Sequence, residues 1–373
     1  MISLAKWICV LDIGQFSSKI GWGGENEPRF SFYTVTGKPK YSQLAGSVQS
    51  KEVYVGNEIM ESIGLYKVTY PVKNDNIDDW MMFKEITDYV FYLLRVDPTQ
   101  VHVLYTLNQF MSLENKKKLF SLFLEDYQVR GFYPVQGSLL TMYAGGFDTG
   151  LVVDMGANSV RITPIYESYI IDHAVDRVNL GGNLVDKFMR SKITGLGFDA
   201  SSTAKKHLVR TLKELSCFVS MDYEKDLENP EKYQQDYELP DGSTINIGRE
   251  RFEIPEILFD PSMYNKELPS LPEKIIEVLQ NCDIHLRDKL IRNVFLTGGG
   301  SLFPNLAKRL KRELESALVK QGKTHQSVRI IAPNQRQLSH WIGGSILSQI
   351  SDFQQNWITR KDFFENGIPE DLL

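Results

Sequence analysis

Asp12 and Asp154 each stand two residues before a glycine, Gly14 and Gly156, at the end of an apolar run. In both LDIGQFSSKIGWGG (11–24) and VVDMGANSVRITPI (152–165) a short polar turn follows, then a second strand-like run. A carboxylate beside a glycine turn suits a polyphosphate and its metal. Glycine lets main-chain N–H groups approach phosphate oxygens, and carboxylates can hold Mg2+ through the waters that this ion keeps. A third run, Gly298, Gly299 and Gly300, lies between a strand-like and a helical segment and fits close backbone approach to a ligand at a helix N-terminus. Neither GxGxxG after the first strand nor GxxxxGK[ST] is present, so a different nucleotide fold is expected.

On a segment expected to be helical, 202–221, Arg210, Lys213, Glu214 and Cys217 recur at three- and four-residue spacing and share a face. Taken alone, that face reads as a solvated charged stripe. The six histidines, His102, His173, His207, His285, His325 and His340, show neither HExxH nor any ligand spacing and read as structural or surface residues. No GxSxG motif marks a serine nucleophile.

The elements that must carry these residues alternate along the chain. Strand-like runs at 7–11, 19–22, 101–105 and 132–135 precede a helix expected from about Ser138, with Gln136 at the strand-to-helix junction. Ser112 is placed to cap a helix reaching about Asp126. The second half repeats the plan with a hairpin, the 202–221 helix, and a further hairpin turned at Pro240, Asp241 and Gly242. A helix from Pro272 to about Asn281 follows, then a strand at 292–296 feeding the glycine run and a helix resuming near Asn305. Residues 36–53 and 223–236 read as exposed loops or insertions. Two halves that each open on the same hairpin predict a duplicated α/β domain with a cleft between the halves.

At 373 residues two domains are expected. Forty-two basic against 47 acidic residues give a net charge of -5 with no basic block, which argues against nucleic acid as a direct partner. Cys9, Cys217 and Cys282 stand far apart and are odd in number, as in a reducing compartment. No apolar run approaches the roughly 18 residues of a spanning helix, and the first residues lack a signal-peptide pattern. A cytoplasmic protein without membrane insertion is expected.

Segments along the chain then point to a family. TGKPK (36–40), YVGNE (54–58), VTYPV (68–72), LLRVDP (93–98), VQGSLLTMYAGG (135–146), PIYESY (164–169), YELPDG (237–242), IGRERF (247–252) and WIGGSILSQISDFQQNWI (341–358) resemble actin and the actin-related proteins over essentially the whole length. The resemblance implies an α/β, actin-like ATPase fold of two similar lobes with a nucleotide cleft between them. Residues 1–32, 70–144 and 338–373 would form the small-lobe core and 33–69 an outer small subdomain with a docking loop. Residues 145–180 and 271–337 would form the large-lobe core, and 181–270 the outer large subdomain.

The same resemblance implies ATP or ADP with Mg2+ or Ca2+. Asp12, Gln136 and Asp154 would arrange the metal's water shell, and Gln136 would also orient the attacking water. The phosphate turns would be Gly14, Gln15 and Phe16, and Gly156, Ala157 and Asn158, with the two glycines offering backbone and Lys19 a point charge. Arg210, Lys213 and Glu214 would line base and ribose, beneath a wall of Gly298, Gly299 and Gly300, with Gly299 and Phe303 closing over adenine. PNQRQLSHW (333–341) is one residue longer than the family pattern, which leaves Arg336 and Gln337 as alternatives beside the adenine.

Several residues depart from that pattern. Ile13, Gln15 and Phe16 replace Asn, Ser and Gly, and Ala157 and Asn158 replace Asp and Gly. Phe16 is strained if its position needs a positive φ and can be housed if glycine serves only for clearance. Arg161 replaces a His and cannot relay a proton near neutral pH. ATP binding with slow or altered hydrolysis is therefore expected, a weak ATPase at most.

Self-assembly into filaments is implied through the 39–53 loop, with Leu44, Ala45 and Val48 as its apolar contacts. The receiving surface, also the seat of actin-binding-type regulators, would be Tyr143, Ala144, Gly146, Ile342, Ile346, Leu347 and Ile350. Ile342, Ile346 and Ile350 fall on one helical stripe, which by itself reads as core. The 264–272 segment replaces an apolar plug loop with a more polar one. The alternative is a non-polymerising actin-related subunit acting as adaptor or cap in a larger complex.

Overall fold

The computed structural model describes residues 7–40, 52–239, 242, 244–265, 267–322 and 327–373. The chain divides into two compact units, Met1–Phe147 with Leu338–Leu373, and Asp148–Gln337.

The first unit is organised by Ile8–Ile13 (β1), whose six residues are all buried. An apolar run without alternation is what a strand covered on both faces requires. β1 pairs antiparallel with Ser17–Trp22 (β2), which pairs antiparallel with Phe30–Tyr33 (β3). On its other edge β1 runs parallel to His102–Leu107 (β4), and β4 parallel to Gly131–Gln136 (β5). Trp80–Leu94 (α1) starts where the Asp79 carboxylate accepts from Met82 N–H. Leu113–Ser121 (α2) is capped by Ser112, as expected, but the continuation to Asp126 is a π-helical turn, Leu122–Asp126. Gly137–Gly145 (α3) follows β5 directly, with Gln136 at the junction. Phe83, Phe120, Phe123, Phe132 and Tyr105 fill the core.

Residues 36–39 correct the expected loop: Thr36–Pro39 is a strand, paired with Tyr54–Val55 and Tyr66–Thr69 in a small sheet. The docking-loop residues 41–51 lie outside the described residues.

The second unit repeats the strand logic. Gly150–Met155 (β6), again buried throughout, pairs antiparallel with Val160–Tyr166 (β7). β7 in turn pairs with Tyr169–Ile170 (β8) and Asp176–Val178 (β9). β6 runs parallel to Val294–Thr297 (β10), and β10 parallel to Ile330–Ile331 (β11). Each unit therefore carries one hairpin whose first strand also begins a parallel run. Gly182–Gly195 (α4) and Thr203–Ser216 (α5) pack on each other; α5 is capped by Ser202 and ends before the predicted Met221. Leu271–Asn281 (α6) begins with a capping box between Ser270 and Glu273, and Leu306–Lys320 (α7) follows the glycine run. The 223–236 stretch is not a loop: it holds the helix Tyr223–Glu228, capped by Asp222, and the first residues of a hairpin, Gln235–Glu238 with Thr244–Ile247.

The chain returns to the first unit with Ser339–Leu347 (α8), which packs on α3. Trp341 is fully buried, and its indole N–H donates to the Val10 carbonyl at 3.1 Å. α8 ends before Ile350, so the predicted stripe is broken. Ile342 is half-buried against the core, whereas Ile346 and Ile350 are 42% and 39% exposed. These two isoleucines are surface rather than core.

Candidate functional site: two matched Asp-x-Gly turns

In the first unit, β1 delivers Asp12 to the end of a buried strand, directly opposite Lys19 in the β1–β2 ladder. Lys19 Nζ lies 3.4 Å from Asp12 Oδ2, and His340 Nδ1, from α8, lies 3.7 Å from Oδ1. Burial pushes the Asp12 carboxyl up, but the Lys19 charge and His340 outweigh it and leave the group below the ordinary aspartate value. Asp12 is therefore an anion.

The turn beyond it closes on itself, with the Gly14 N–H donating to the Ser17 carbonyl at 3.2 Å. Phe16 answers the question the sequence left open. It has no positive φ, its carbonyl accepts from Thr34 N–H, and its ring stands edge-on to Tyr33 with centroids 5.2 Å apart. Replacing Phe16 by Gly relieves no strain and removes an aromatic contact, so we expect a loss of about 1–2 kcal/mol in denaturant unfolding. A variant more stable than the natural chain contradicts this.

In the same unit folding leaves a group of polar atoms unsatisfied. Gln136 Oε1, Ser138 Oγ, Thr106 Oγ1 and Gln109 Oε1 are buried with no hydrogen-bond partner among the described residues. Buried polar groups are nearly always bonded, so each exception asks for water, an ion or a ligand. Gln136 and Ser138 flank the β5–α3 junction, and Thr106 lies one register position from Gln136 across β4.

The second unit repeats the construction. Asp154 faces Arg161 across the β6–β7 ladder, with Arg161 Nη2 at 3.3 Å from Asp154 Oδ2. The Gly156 N–H donates to the Ser159 carbonyl at 3.1 Å, the same closure as in the first turn. In both turns, then, the glycine amide closes the hairpin. Among the described residues the N–H groups of Gln15, Ala157 and Asn158 meet no acceptor, and those are the donors each turn leaves for an anion.

Two further glycines hold the second turn in place. A Cβ on Gly181 would lie 2.3 Å from the Asn158 carbonyl carbon. The next two residues, opening α4, donate from Gly182 N to Gly156 O at 3.1 Å and from Asn183 N to Ala157 O at 2.7 Å. From the other side Gly298, at φ +82°, packs against Met155 O and the Asp154 carboxylate. Gly299 has open space where a Cβ would stand. The glycine run enters a 3-10 turn, Gly299–Leu302, rather than the N-terminus of α7.

The charged face of α5 is not a solvated stripe. Arg210 donates to Asp186 at 2.5 Å and to Asn183 Oδ1 at 2.8 Å, and the buried Lys213 reaches Asp186 Oδ1 at 2.8 Å. Glu214 is exposed at its edge. Arg336 is tied to the glycine turn, donating to Ser301 Oγ at 3.0 Å and to Ser301 O at 2.7 Å, while Gln337 Oε1 is buried without a partner among the described residues. Phe303 packs on the core of this unit.

In each unit the acid already faces a basic side chain, and in the first unit Gln136 Oε1 is a buried acceptor without a partner among the described residues, a donor chemistry suited to holding a cation through its waters rather than directly. No cluster of three or more His, Cys, Asp or Glu suited to direct ligation exists among the described residues. Sequence reasoning missed His340, Gly181, Gly182 and Asp186. The only advance signal was the Gly181–Gly182 pair before a helix; His340 meets Asp12 across more than three hundred residues of chain and gave none.

The molecule is thus mixed α/β, with one self-closed acid turn in each of two units. The family model for actin matches residues 6–369, and the chain belongs to the actin family. Members of that family bind ATP or ADP with a divalent cation, self-assemble and bind regulators, and are typically cytoskeletal; the nucleotide-binding character holds for this chain at that general level. No helix among the described residues is long and apolar enough to cross a membrane.

Proposed function

We propose that this protein binds ATP with Mg2+ or Ca2+, using Asp12, Gln136 and Asp154 through the cation's water shell, and assembles with copies of itself into cytoplasmic filaments. The observation that carries the nucleotide reading is the matched pair of acid turns, each closed by its own glycine N–H, together with the buried unsatisfied acceptor at Gln136. When bound, the cation offsets phosphate charge. Gln136 Oε1 is the acceptor that can hold and orient an attacking water. Lys19 supplies a point charge beside Asp12, and Gln15, Ala157 and Asn158 supply backbone donors. Hydrolysis is slow in this reading, because Arg161 is permanently charged and engaged with Asp154, and cannot take the proton that a histidine would. Arg210, Lys213, Glu214, Gly299, Phe303 and Arg336 are assigned to the nucleoside end by family pattern.

Exposed Ile346 and Ile350 supply apolar surface for assembly or regulators. The second reading, a non-polymerising adaptor or cap, is favoured by the polar segment after Tyr264, where Asn265 and Glu267 are exposed. To test both, the purified protein is denatured, its released nucleotide identified, and the native sample pelleted with and without ATP. Intact ATP and an ATP-dependent pellet are expected. ATP with a strict monomer at high concentration favours the adaptor, and a preparation that neither carries nor takes up nucleotide overturns the central claim.

A further inference from the structure

We propose that Arg161 is a built-in counter-charge at the second turn, so that phosphate is held there without a tightly bound divalent cation. This rests on the nucleotide reading above and concerns how that same site depends on metal.

Three observations lead to it. Arg161 lies directly opposite Asp154 in the β6–β7 ladder, 3.3 Å from its carboxylate, with the two side chains only 14% and 12% exposed. Its Nη2 occupies the space beside Gly156, 2.7 Å from where a Cβ would stand, so the guanidinium is lodged under the turn instead of sampling solvent. Beyond Gly156 the turn has no second acid: Ala157 and Asn158 follow, and the backbone N–H groups of both meet no acceptor among the described residues.

Charge bookkeeping gives these facts their direction. Ala157 and Asn158 bring no charge to the turn, and Arg161 brings a permanent positive one. Residues 154–161 therefore hold one acid, Asp154, already paired with Arg161, and no further acid to repel phosphate. A guanidinium also offers five donors in a planar fork, enough to serve a carboxylate and phosphate oxygens together. In a half-dry site such a fixed cation attracts an anion far more strongly than in water. Asp154 then holds Arg161 in position as much as it holds a cation's water.

The test compares ATP affinity of the full-length protein in excess EDTA and in Mg2+, read from the ATP-induced rise in melting temperature. For the natural chain the two affinities should agree within about threefold, a difference under 1 kcal/mol. Arg161→His should lose at least about tenfold in EDTA while keeping its affinity in Mg2+. Ala157→Asp leaves Arg161 in place, adds an acid to the turn and should shift the same way, so the inference survives a folding failure of the first variant. A natural chain whose ATP affinity collapses in EDTA, or variants that respond to EDTA as it does, overturns the inference. No ATP response even in Mg2+ instead removes the nucleotide reading beneath it.

Discussion

Replacing Gly298 with Ala should cost about 3–5 kcal/mol of stability and weaken ATP binding more than tenfold. At φ +82° and ψ 158° the residue sits where only glycine is at ease. An added Cβ lands 2.5 Å from Met155 O, 2.8 Å from Met155 C and 2.7 Å from Asp154 Oδ1. Two of those atoms are backbone and cannot rotate away, and the third belongs to the acid of the site. Gly299→Ala is the paired control, since nothing lies within 4 Å of its Cβ. It should change stability by less than about 1 kcal/mol. Denaturant unfolding and ATP-induced melting shifts on both variants separate the outcomes; a Gly298→Ala protein that melts with the natural chain would show the turn to be freer than described.

The second large effect is expected at Gly343. Its Cβ would lie 1.8 Å from Leu140 O and 2.4 Å from Leu140 C, because α8 and α3 approach closely there. Helix backbones in such contact cannot separate without disturbing Trp341, whose indole is bonded to Val10 inside the sheet. Gly343→Ala should cost more than about 3 kcal/mol and leave the first unit partly unfolded at ambient temperature. Gly344→Ala, whose Cβ meets only the side chains of Val10 and Leu104 within 3.4 Å, should cost about 1–3 kcal/mol. Urea titration followed by tryptophan fluorescence distinguishes them, and equal midpoints for the two variants contradict the backbone contact.

The hairpins and their acids were legible from sequence because the signal is local. An unbroken apolar run ending in Asp-x-Gly sets both a central strand and the residue at its tip. The Ser112 cap was legible for the same reason, since it acts within three residues, whereas the Ser270–Glu273 box was not read in advance. What escaped was decided by distant partners. The Arg210 and Lys213 face looks like a solvated stripe until Asp186, on another helix, is placed against it. Phe16 could be judged only with Tyr33 and Thr34 in view, since a φ angle is not written in a side chain. The 223–236 stretch looked loop-like by composition, yet Asp222 caps a helix inside it. Charged composition alone does not exclude a short, well-capped helix.

The bonds from Gly182 and Asn183 to the carbonyls of Gly156 and Ala157 make the second turn and α4 a single mechanical piece. α4 carries Asp186, and Asp186 clamps Arg210 and Lys213 of α5. Moving either carbonyl would therefore break a bond to α4 rather than flex a free loop. The Gly181–Gly182 pair is thus the joint through which the turn is fastened to both helices.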